Sequence, residues 1–290
     1  MRYEDPVFRP PCEAGSLIIQ ATLGCPHNRC TFCSMYKMKK YRVREVEDIK
    51  ADLRQARKLY GSIESIFLAD GNTVAMNCNK LAEIIEYARY IFPEAKRVSS
   101  YGGARFLKGK SPEGLARLKE AGLDIIYFGL ESGDDEVLMS VQKGVDSEGM
   151  IEAARRVKKA GIALSVYILL GLGGEDHWRQ HAENTARVLN AMNPDFIRPR
   201  TLYLMPGCPL HEDAQSGLFR EASGETIMRE LEVLLAGLRV GDCLFMSDHI
   251  SNYIPVYGQL PQDRERMLAS VRMALENPEE YLGPRYLTHL

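Results

Sequence analysis

The chain has no apolar run of bilayer length, and its opening stretch MRYEDPVFRPPCEAG has no apolar core of the kind a secretory leader carries. The expectation is a cytoplasmic protein with no membrane partner. Net charge is also scarce, at a formal -2 from 37 Lys and Arg against 39 Asp and Glu. No overall positive field therefore argues for nucleic acid. Internal repeats, low-complexity tracts and flexible linkers are absent, which leaves one continuous series of elements. Seven cysteines in a chain read as intracellular point to thiols and ligands rather than to a disulfide framework. The hydrophobic share of 45% and charged share of 26% are ordinary for a globular protein able to bury a substantial core.

Three of those cysteines, Cys25, Cys30 and Cys33, fall within one short loop, ATLGCPHNRCTFCSMYK, and no fourth follows nearby. A structural zinc site wants four protein ligands, whereas an iron–sulfur cube held by three thiolates leaves one iron open to a small molecule. The same spacing also admits a zinc knuckle completed by His27 or by Cys12. Cys12, Cys78, Cys208 and Cys243 are dispersed and read as small buried or partly buried hydrophobes.

Strand-like apolar runs alternate with amphipathic helical segments, which predicts a parallel sheet of βα units. Six such strands are expected: SLIIQATL, SIFLAD, RVSSYGG, DIIYFGLESG, LSVYILLGLGG and FIRPRTLYLMPG. Helices are expected over Glu45 to Tyr60, Lys80 to Ile91 and Ser147 to Ala160, with Gly61 and Gly161 as stops and Ser111-Pro112-Glu113 opening another. Six βα units make an α/β fold of the incomplete (β/α)6 barrel type. In such folds ligands gather at the carboxyl ends of the strands.

The cysteine loop resembles the cluster-binding loop of the radical S-adenosylmethionine (radical SAM) superfamily. There three cysteines hold a [4Fe–4S] cluster, and the methionine part of SAM chelates the fourth iron. Phe32, just before the last cysteine, matches that pattern. The spacing here is C-x4-C-x2-C, one residue longer in the first gap than the commonest family form. GLESG followed by LMSVQKGVDSEGMIEAARRVKKAGI resembles the branch containing oxygen-independent coproporphyrinogen oxidases, methylthiotransferases and the Elongator catalytic subunit.

The resemblance covers roughly residues 16–240, implies a partial-barrel core there with segments 1–15 and 241–290 outside it, and assigns roles at the strand ends. Asp70, Gly71 and Asn72 stand where the family meets the SAM amino group, although Asp-Gly-Asn is also good turn chemistry. Ser99 and Ser100 are candidates for the SAM carboxylate or for a plain turn. Glu131 is the foremost non-cysteine candidate, contacting the SAM ribose or amino-acid portion, with Ser132 beside it; its alternative is to cap the next helix. Tyr167, Leu170, Gly171 and Leu172 belong to the stretch that packs beside the adenine, or simply to the core. Arg198 and Arg200 lie two apart on one strand and so share a face, from which an arginine grips a carboxylate of SAM or substrate.

The implied reaction is reductive cleavage of SAM to a 5′-deoxyadenosyl radical, which takes hydrogen from a small organic substrate, anionic or tetrapyrrole-like substrates included. An electron donor such as flavodoxin or ferredoxin is implied, and the basic run Lys37-Met38-Lys39-Lys40-Tyr41-Arg42-Val43-Arg44 is either its docking site or a solvated loop. Ser247-Asp248-His249 with Asn252-Tyr253 either completes a substrate pocket or forms a hydrogen-bonded corner. Two other classes compete: a non-catalytic iron–sulfur electron carrier and a zinc-stabilised binding protein.

Overall fold

A computed structural model describes residues 1–282. Its first half contains strands β1 (Leu17–Gln20), β2 (Thr22–Leu23) and β3 (Arg42–Val43), helix α1 (Val46–Leu59), strand β4 (Ser65–Ala69), helix α2 (Cys78–Ile91), strand β5 (Arg97–Tyr101), helices α3 (Ala104–Leu107) and α4 (Pro112–Glu120), and strand β6 (Ile125–Glu131). Helices α5 (Asp135–Ser140) and α6 (Ser147–Lys159) follow, then strand β7 (Ala163–Leu170), helix α7 (Gly174–Met192), strand β8 (Phe196–Thr201), helices α8 (Pro209–Gln215) and α9 (Gly224–Gly237), strands β9 (Cys243–Ser247) and β10 (Val256–Leu260), and helices α10 (Arg264–Glu276) and α11 (Pro278–Tyr281).

Two compact units divide these elements. The first comprises Met1–Asn28, Met35–Phe128 and Glu152–Leu164. Within it β1, β4, β5 and β6 are neighbours in that order, all parallel. The run Ile66-Phe67-Leu68-Ala69 is fully buried, as a parallel strand covered on both faces must be. Helix α1 turns Ile49, Asp52, Leu53 and Ala56 inward, a helical stripe that includes one acid. Arg44 makes that acid tolerable by donating to Asp52 Oδ2 at 2.6 Å. Ser111 accepts from Gly114 N–H and caps α4 with Pro112 in its first turn, as its sequence predicts.

The second unit comprises Arg29–Ser34, Gly129–Ile151 and the chain from Ser165 onward. There β7, β8 and β9 are parallel and β10 closes the series antiparallel to β9. Helices α7, α9 and α10 pack alongside. An α/β fold with a mostly parallel sheet is thus the class observed, and all six expected strands are present. The segment after residue 240, expected as an extension outside the core, supplies β9 and β10 and so adds two strands beyond the six. Its last residues, 283–290, lie outside the described residues. Among the described residues no helix is long and apolar enough to cross a membrane.

Candidate active site

The three cysteines belong to one loop whose halves are anchored in different units. Cys25 follows Gly24, whose φ of +68° brings the backbone tightly past Lys39 and Tyr41. Burial, with the Cys25 charge, pushes the Tyr41 hydroxyl pKa upward. Cys30 and Cys33 sit in the second unit in a tight turn, with Cys33 N–H donating to Cys30 O at 3.3 Å. Between them Thr31 is fixed on both sides of its peptide. Its N–H donates to Val141 O at 3.0 Å, and its carbonyl accepts from Leu210 N–H at 3.1 Å. Phe32 packs against the buried cluster of Val137, Val141, Leu172, Leu202, Leu204 and Leu210. The aromatic before the last cysteine is therefore an anchor for the turn.

None of the seven cysteines is in a disulfide. Among the described residues no three His, Cys, Asp or Glu side chains form a preformed set of metal ligands. The donor chemistry nonetheless fits an iron–sulfur cluster: three half-buried thiols on one loop, with a lysine beside two of them. Cys208 and Cys243 are buried, as expected of small hydrophobes. Cys12 departs from that reading: it is exposed, and its thiol donates to the Tyr127 hydroxyl at 3.4 Å.

At the end of β4, Asp70 is fully buried and its Oδ2 accepts from Gln20 Nε2 at 3.1 Å, Gly24 N–H at 3.2 Å and Lys39 Nζ at 3.1 Å. Burial raises its pKa, and the lysine and the Gly24 N–H partly offset this. Asp70 thus ties the residue before Cys25 to the strand end, and its Oδ1 has no hydrogen-bond partner. A Cβ on Gly71 would stand 2.7 Å from the Tyr36 ring, so only glycine fits there. Asn72 is buried and accepts from Gly103 N–H at 3.3 Å.

The serines at the end of β5 are used internally. Ser99 donates to Glu13 Oε1 at 2.8 Å, and Ser100 is buried with its hydroxyl on Tyr101 O at 3.2 Å. The basic run is engaged in part within the protein. Lys39 pairs with Asp70, Arg42 with Glu4 and Arg44 with Asp52, while Lys37 donates to Asn28 O. Lys39 and Arg44 are buried and structural, whereas Lys37 and Arg42 are exposed, as a solvated loop predicts.

Glu131 closes β6 with φ +64°, a left-handed conformation that a non-glycine residue rarely takes. Its Oε1 meets Lys143 Nζ at 3.0 Å. Ser132 is buried in the turn that follows, its hydroxyl accepting from Asp134 N–H at 2.9 Å. Asp134, not Glu131, caps α5, accepting from Glu136 and Val137 N–H groups at 3.0 Å.

Tyr167 pairs with Arg198, and Leu169 with Arg200, across β7 and β8. The two arginines share one half-buried face, as their spacing predicts, and the Arg200 guanidinium lies 4.7 Å from the Tyr167 ring centroid. Arg198 Nε donates to Ser165 Oγ at 3.0 Å. Leu170 is buried on the opposite face from Tyr167, so their side chains do not line one pocket together. Nearby, burial and the Arg200 charge push the His249 imidazole down to about 4, Asp248 acting the other way. The tail forms a hydrogen-bonded corner over β8: Asn252 Nδ2 donates to Pro199 O at 2.9 Å and to Ser247 Oγ at 2.9 Å, and Thr201 Oγ1 donates to Asn252 Oδ1 at 3.0 Å.

Two groups escaped the sequence reading. Lys143 is one. The other is the buried pair of His181 and Glu230, 2.7 Å apart, whose Oε2 accepts from Gly171 N–H at 2.8 Å and so fixes the glycine-rich turn after β7. The sequence signal for Lys143 was the Gln142-Lys143-Gly144 turn that follows α5. Glu230 gave none, because its partners are remote in the chain.

The radical SAM superfamily model matches residues 19–187, more than half of the chain. The chain is 25% identical over 97% of its length to the uncharacterized protein MJ0486 of Methanocaldococcus jannaschii, of which it covers 82%. Four longer curated relatives are spanned over only 28% to 41% of their length. Among solved structures, methylornithine synthase PylB superposes with TM-score 0.57 at 18% identity, covering 88% of this chain and 68% of that one. Elp3 of Methanocaldococcus infernus gives 0.53 at 14%, covering 94% and 65%. With its three thiols on the loop after the first strand and polar groups at successive strand ends, the chain belongs to the radical SAM superfamily, whose members bind a [4Fe–4S] cluster and SAM.

Proposed function

We propose that the protein is a radical SAM enzyme acting on a small anionic organic substrate. Cys25, Cys30 and Cys33 are the residues to hold the cluster. When bound, cluster and SAM supply one-electron cleavage of SAM and, from it, hydrogen-atom abstraction. The chain's own contribution is to bind, orient and exclude water. Gly71, Asn72 and Glu131 stand at strand ends suited to the polar parts of SAM, and the turn at Gly171 to its nucleoside. An external donor such as flavodoxin or ferredoxin supplies the electron.

The substrate class rests on one observation: Arg200 lies half-buried over Tyr167, with His249 held neutral beside it and Arg198 two residues away on the same face. A half-desolvated guanidinium oriented by an aromatic ring is suited to a carboxylate, and a neutral imidazole adds a hydrogen-bonding group without competing for the anion.

The test is a panel of small carboxylates and their amides, scored for stimulation of 5′-deoxyadenosine formation. Stimulation is expected from acids and not from the matching amides. R200M should then raise the concentration of acid needed by about 10- to 100-fold, the equivalent of one lost charged hydrogen bond. Equal stimulation by the neutral amides would remove the anionic assignment.

A further inference from the structure

The pair of Lys143 and Glu131 is built with more care than a surface ion pair requires. Lys143 occupies a turn flanked by Gln142 at φ +53° and Gly144 at φ +76°, and its side chain is only 15% exposed. Glu131, itself in the left-handed conformation at φ +64°, meets it at 3.0 Å. Gly129 clears the space: a Cβ there would stand 2.3 Å from Glu131 Oε1 and 3.3 Å from Lys143 Nζ. The ammonium lies 5.9 Å from the Phe32 ring centroid, and Thr31 N–H ties the same turn to Val141, two residues before Lys143. Backbone and side chain thus fix this charge beside the segment carrying Cys30 and Cys33.

Resting on the assignment of those two cysteines to the cluster, we infer that Lys143 and Glu131 form an electrostatic regulator of the cluster's reduction potential. A fixed positive charge near an iron–sulfur cluster stabilises the more negative, reduced state and raises the potential, and an adjacent carboxylate moderates that effect. The ammonium and the carboxylate stand 3.0 Å apart with their side chains only 15% and 19% exposed, so little solvent screens the pair. Its two members act on the cluster with opposite signs.

The opposition of sign gives the test. Full-length protein is reconstituted anaerobically with iron and sulfide, and the midpoint potential of the cluster is measured without SAM by titration followed with electron paramagnetic resonance (EPR), for wild type, K143M, K143R and E131Q. The potential should fall in K143M, rise in E131Q and stay at the wild-type value in K143R. A purely structural pair would move K143M and E131Q in the same direction or not at all, and either result overturns the inference. Should K143M fail to hold a cluster, E131Q against K143R decides, and equal potentials overturn it. Absence of a four-iron signal from the wild type would instead overturn the cluster assignment itself.

Discussion

Asp70 and Lys39 are both withdrawn from water, and the lysine also donates to Pro6 O at 2.6 Å. Such a pair adds little net stability, but removing one partner strands a buried charge. K39M should therefore destabilise the protein by about 3–5 kcal/mol, and the double variant with D70N should recover much of that loss. Urea unfolding of the three proteins checks it; a K39M loss below about 1 kcal/mol would mean that Asp70 is not held charged there. His249 makes a pH prediction. Its folded pKa is depressed to about 4, so the unfolded chain binds the proton first as pH falls below the ordinary histidine value of about 6.5. Stability should fall between those two values, and H249N should flatten that fall in a series of melting temperatures. Chemistry set by local spacing was legible in the sequence, as the cysteine loop and the paired arginines show. Chemistry set by folding was not: Lys39 reads as one cation in a basic run until Asp70 is brought to it, and Glu230 meets Gly171 only across 59 residues.

The elements themselves were read from periodicity, and the buried apolar runs of β4 to β7 are where it is least ambiguous. Strands β9 and β10 were missed because they are joined to each other as an antiparallel pair rather than by a helix, outside the βα alternation. The turn from β6 into α5 offers an element-scale test. Gly133 donates its N–H to Thr185 Oγ1 at 2.9 Å, and a Cβ there would stand 2.6 Å from Asn184 O and from Thr185 Cα. Those are backbone atoms of α7, so the crowding cannot be relieved by a rotamer change. G133A should lower stability by about 1–3 kcal/mol. An unchanged unfolding midpoint would show that α7 is not packed against the turn as described.

For the molecule as a whole, the matched family stretch ends at residue 187, while Arg198, Arg200 and His249 lie beyond it. The residues proposed for cofactor and those proposed for substrate thus come mostly from different lengths of the chain, which is why family membership identifies the chemistry and leaves the substrate to be argued from the site. The claim on which everything else depends is that Cys25, Cys30 and Cys33 hold a cluster with one iron open to SAM. It is tested most directly by anaerobic reconstitution followed by EPR of the reduced protein with and without SAM. The account predicts a reduced four-iron signal that changes when SAM is added and is lost in C30A. Stoichiometric zinc with no four-iron signal, or a four-iron signal indifferent to SAM, would contradict it.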